Sequence, residues 1–160
     1  MTAHALPIRT DDAAEAARLR SLLERQRDEY EQLRALAEMQ GDLIARRDAG
    51  ALMTLLGRRQ RHVDALTALN AELDPLRPRI GDVAAAGGPA CRDAVRSLVD
   101  EVQRLLEEIM GLDDAGQRAL AEGRDAVKAE LTQAARTPRA LNAYKRAAVP
   151  GATRFTNRRG

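Results

Sequence analysis

The chain is predicted to be all-α: an elongated antiparallel helical bundle or coiled-coil hairpin of about three long helices, ending in a disordered C-terminal tail. Three observations predict it. Ala, Leu, Arg, Glu and Gln dominate the composition, and such residues lose little side-chain freedom in a helix. The 160 residues include two Tyr, one Phe and no Trp, too few bulky fillers for a thick globular core. Finally, apolar residues recur at alternating steps of three and four through three long segments. The length suits one domain. Residues 1–10 are expected to form a flexible N-terminus, 11–136 the long-helix bundle and 137–160 a flexible basic tail.

Thr10, Asp11 and Asp12 offer capping oxygens, and Glu15 places a carboxylate in the first turn, where the helix dipole favours it. The first helix should run to about Arg47. Its seam is Leu19, Leu23, Gln26, Tyr30, Leu33, Ala37, Gln40 and Ile44, widened by Leu22, Leu36 and Leu43. Asp48-Ala49-Gly50 interrupts the pattern, with Asp48 placed to cap the second helix. That helix carries Leu52, Leu55, Leu66, Leu69, Leu73, Leu76 and Ile80 on one face. Pro75 and Pro78 each lack an amide donor, so its last turns should kink or fray.

Gly81 to Pro89, with its glycines and alanine run, is expected to be a loop between helices, with Pro89 in the first turn of the next. The third helix follows Val95, Leu98, Val102, Leu105, Ile109 and Leu112. Gly116, Ala119 and Gly123 continue the lane with small residues, and Val127 and Leu131 extend it to about Ala135. Glycine weakens a helix, so local weakening or a bend is expected near Gly116. Thr137-Pro138 should end the helix.

The charge is unevenly placed. Residues 136–160 hold seven basic side chains and no acidic one, and removing them from the net of +2 leaves −5 for the remainder. Leu141, Tyr144, Val149 and Phe155 are the tail's only large hydrophobes, too little burial to offset the entropy of ordering it. Nothing approaches the roughly 20 apolar residues of a membrane span, and no signal-peptide pattern opens the chain. The single cysteine, Cys91, cannot close an internal disulfide, which fits a reducing, cytoplasmic setting.

No phosphate loop, dinucleotide fingerprint, nucleophile triad or zinc spacing is present, so no catalytic, metal or cofactor site is assigned and an enzyme is not expected. His62, among Arg58, Arg59, Arg61 and Asp64, lacks a visible nucleophile or metal partner, and His4 lies near the terminus. Glu107-Glu108 and Asp113-Asp114 are adjacent pairs. Neighbours on a helix point about 100° apart, so neither pair converges and both are expected on a solvated face.

The stretch Leu22-Leu23-Glu24-Arg25-Gln26, Tyr30, Leu36-Ala37-Glu38, Gln40 and Leu43-Ile44-Ala45-Arg46-Arg47-Asp48 continues as Leu52, Leu55-Leu56, Arg59-Gln60, Leu66, Leu69 and Glu72-Leu73. Near the end, Ala143-Tyr144 is followed ten residues later by Arg154-Phe155-Thr156-Asn157-Arg158-Arg159-Gly160. Together these resemble the N-terminal hairpin and C-terminal signature of FlgN-type flagellar type III export chaperones. The resemblance implies a cytoplasmic protein that binds hook–filament junction (hook-associated) subunits and delivers them to the export gate. Leu141, Tyr144, Arg154, Phe155, Arg158 and Arg159 are then the candidate partner-binding residues. A homo-oligomer is compatible with the seams. Two other functions remain open at this point: a structural coiled-coil partner, and a nucleic-acid binder using the basic tail on phosphates.

Overall fold

The computed structural model describes residues 10–136, and all regular structure among them is helical. Helix α1 spans Thr10–Ala45, α2 Ala49–Leu73, α3 Ile80–Ala86 and α4 Pro89–Arg136, with one 3-10 turn at Arg77–Arg79. Three helices are long, as the periodicity predicts. The expected flexible ends at 1–9 and 137–160 lie outside the described residues; Thr10 already belongs to α1. The chain divides into two compact units, the first ending at Gln117 and the second beginning at Arg118.

In the first unit, α1 and α2 form the expected antiparallel hairpin. Its turn is built by hydrogen bonds. The amide of Asp48 donates to Leu43 O (3.1 Å) and that of Arg47 to Ile44 O (3.1 Å), the paired bonds that satisfy a helix's last carbonyls. This geometry needs a left-handed residue, and Arg47 supplies it at φ 55°. Helix α1 therefore ends at Ala45, two residues before the expected Arg47. Asp48 then caps α2, accepting from the Ala51 amide at 3.0 Å.

The seams are buried as their spacing predicts. Leu19, Leu22 and Leu23 of α1 pack with Leu69 and Leu73 of α2 and Val95 and Leu98 of α4, Leu33 packs with Leu66 and Ile109, and Leu36, Ala37, Leu55, Val102 and Leu105 are buried as well. Each fully buried aliphatic side chain contributes about 1.5–3 kcal/mol of transfer free energy. Charged contacts confirm the directions. Arg27 and Arg34 on α1 pair with Glu101 (4.0 Å) and Glu108 (3.3 Å) on α4, seven residues apart on both helices, so α1 and α4 run parallel.

One expectation changes. Gly81–Pro89 is not a loop through most of its length: α3 occupies Ile80–Ala86, and the connection to α4 shrinks to Gly87 and Gly88. The alanine run favours helix, and burying Val83 and Ala84 against α1 and α4 residues supplies what so short a helix lacks alone. Gly88 sits at φ +95°, open only to glycine at low cost. Gly87 lies so close to α1 that an added Cβ would stand 2.8 Å from the Ala16 Cβ and 2.7 Å from the Cys91 Sγ. Helix α4 runs on through Gly116, where a Cβ would stand 3.5 Å from Ile44 Cδ1 of α1.

The second unit, among its described residues, is the remainder of α4. Leu120, Val127 and Leu131 continue the apolar lane there but are exposed at 48%, 43% and 66%. All of Arg118–Arg136 is exposed apart from a half-buried Gly123.

Candidate partner-binding groove

Among the described residues, a groove of about 450 Å³ runs between α2 and α4 of the first unit. Its floor is α1, through Leu19, Leu23, Gln26 and Tyr30. Asn70, Leu73, Arg77 and Ile80 form one wall; Val99, Val102, Gln103 and Leu106 form the other. The distal end is tied shut. Arg59 of α2 makes a two-pronged bond to Asp113 of α4 (2.7 and 2.9 Å) and also donates to Gln40 of α1 (2.5 Å), clasping all three helices. The bond to Asp113 raises the Arg59 pKa further above its ordinary value, against the opposing effect of burial. Below this clasp, Leu33, Leu66 and Ile109 pack together with Tyr30 against them.

The groove's lips are apolar and open to solvent. Val99 and Leu106 remain 38% and 36% exposed, and Met110, four residues beyond Leu106 on the same face, is 63% exposed. Across the groove, Val63 precedes Asn70 by seven residues and is 41% exposed. A row of large hydrophobes at helical spacing beside a groove is what an amphipathic helix presents its own stripe to.

Polar side chains also line the groove. Gln26 is only 6% exposed, and its Nε2 donates to Asn70 Oδ1 at 2.9 Å; Arg77 Nη2 donates to the same oxygen at 2.9 Å. Burial raises the Tyr30 phenol above its usual pKa, with nearby Arg77 pulling it the other way.

The tail residues expected to bind a partner (Leu141, Tyr144, Arg154, Phe155, Arg158 and Arg159) lie outside the described residues. His62 is held by Glu29, its Nδ1 at 2.5 Å from Oε2, which ties α2 to α1. The solvated-face expectation for the acidic pairs is corrected in part. Glu108 accepts from Arg34 of the parallel α1 (3.3 Å) and from Arg104 one turn earlier on α4 (2.9 Å), and Asp113 anchors the clasp to Arg59 of α2. Among the described residues, no group of three or more His, Cys, Asp or Glu side chains is placed to hold a metal ion, and no helix is long and apolar enough to cross a membrane.

The groove was not singled out from the sequence, although it leaves a trace there. Leu98-Val99, Leu105-Leu106 and Ile109-Met110 are apolar doublets on α4, and in each the first residue is buried while the second is exposed. A single seam needs one residue of each doublet; the second widens the stripe beyond what the described residues bury. Comparison with known proteins finds no matching family model, no similar curated protein and no similar solved structure.

Proposed function

We propose that the chain is a cytoplasmic export chaperone of the FlgN type, which holds hook–filament junction subunits before their export and delivers them to the export gate. The observation that carries this is the groove between α2 and α4, with the exposed apolar side chains of Val99 and Leu106 along its α4 lip. An unassembled subunit exposes an amphipathic helix. Docked in the groove, such a helix would cover Val99 and Leu106 and so shield its own apolar stripe. The resemblance of the hairpin and the chain's ending to these chaperones supports the same function. The basic tail, with Tyr144 and Phe155 as apolar anchors and Arg154, Arg158 and Arg159 as electrostatic support, is assigned to client or export-gate contact. A segment that orders only on binding can hold a client and still release it.

The test is capture of a purified hook–filament junction protein by the full chain. Val99→Glu with Leu106→Glu on the groove lip should lower affinity by about a hundredfold, the weight of two interface anchors. Replacing Tyr144 and Phe155 with Ala should weaken export-gate or client capture more than replacing the three arginines with Gln. Wild-type affinity in the lip variant would remove the groove from the function. Binding that falls steeply with salt and depends on the arginines alone would mark a nucleic-acid tail instead.

A further inference from the structure

The groove carries polar atoms, one on its floor and one on its wall, that the described residues leave without a hydrogen bond. Gln26 is buried, yet only its Nε2 is used, in the 2.9 Å bond to Asn70 Oδ1. Asn70 Oδ1 already accepts two donors, from Gln26 and from Arg77. That leaves Gln26 Oε1, an acceptor, and Asn70 Nδ2, a donor, without a hydrogen bond among the described residues and reached by solvent rather than sealed off, on two residues that line the same groove. Both sit amid Leu19, Leu23 and Leu73. An apolar helix laid over them would strip away their water and return nothing, which is costly for a buried polar group.

We propose that the Gln26–Asn70 pair selects the occupant of the groove: a partner's amphipathic helix that carries one primary carboxamide, Gln or Asn, inside its apolar stripe. This rests on the assignment of the groove to a client helix. The choice of amide follows from the two free atoms. A carboxamide donates to Gln26 Oε1 and accepts from Asn70 Nδ2, satisfying both. A carboxylate would accept from Asn70 and Arg77 but would set an oxygen against Gln26 Oε1. An aliphatic side chain satisfies neither. A lone polar residue in an apolar seam fixes register between helices, so the pair would also set where along the groove the helix stops.

A library of amphipathic helical peptides tests this, each with a leucine seam and with one seam position at a time randomised, selected against the full chain. The wild type should enrich Gln or Asn at a single seam position, and the enriched peptide should bind about tenfold more tightly than its all-leucine parent. A chain with Gln26→Leu and Asn70→Leu, checked for folding by circular dichroism, should reverse that preference. Peptides that bind wild type with leucine favoured at every position would overturn the proposal while leaving the groove as a helix site. The same holds if both chains share one preference. If no peptide binds, the client-helix assignment fails and the proposal with it.

Discussion

Helix α4 treats one sequence pattern in two ways. Between Val95 and Ile109 the three-four lane is buried, with Leu105 at 2% exposure. In the second unit the same spacing continues through Leu120, Val127 and Leu131, and every one of them is open to solvent. The local sequence differs little in helix propensity. What differs is supply: in the first unit α1 and α2 offer matching seams, while the described part of the second unit contains nothing but its own helix. Periodicity therefore predicts which face of a helix is apolar, and packing partners decide whether that face is buried.

The largest test of that contrast is a pair of truncations. Leu105→Ala should cost about 2–5 kcal/mol, as cavities in a filled core do. Leu131→Ala, at the same kind of lane position, should change stability by no more than about 0.5 kcal/mol. Denaturant melts of the two variants measure both, and equal losses would mean the second unit has a core of its own.

A second pair separates tight from open glycines. Gly87→Ala drives a Cβ to within 2.9 Å of Ala16 and Cys91 and should destabilise by about 1–3 kcal/mol. Gly111→Ala on α4 would meet nothing within 4 Å and should stabilise by about 1 kcal/mol through helix propensity. A gain at Gly87 would show that α1 and the α3–α4 junction are looser than the contacts imply.

The smallest effect concerns pH. Burial holds the Tyr30 phenol above its usual 10.0, so on raising the pH through 10.0 the unfolded chain loses that proton before the folded one does. Stability present below pH 10 should then decline above it, and Tyr30→Phe should flatten the decline relative to wild type. Identical alkaline slopes in the two proteins would show that Tyr30 is effectively solvated.

These contrasts also mark what was legible in the residues. The α1 and α2 seams, the Asp48 cap and the core of α4 follow from spacing and capping chemistry, both local properties. Helix α3 did not, because the glycines at 81, 87 and 88 outweigh three alanines until the burial of Val83 and Ala84 is counted. The groove was hidden for a related reason. Val99 and Leu106 look like ordinary members of a broad apolar face, and only the spread of α2 from α4 reveals them as lips. Gln26 was visible as a polar break in the first seam. That it meets Asn70, 44 residues away, is a tertiary fact.

Amide hydrogen exchange along α4 in the dilute, partner-free chain tests the division of that helix most directly. Backbone amides from Val95 to Ile109 should exchange only through opening of the whole core. Those from Leu120 to Leu131 should exchange orders of magnitude faster, because a solvated helix of this length is marginal on its own. Uniform slow exchange across Gly116 to Leu131 would contradict the account, since it would require the second unit's apolar stripe to be buried already.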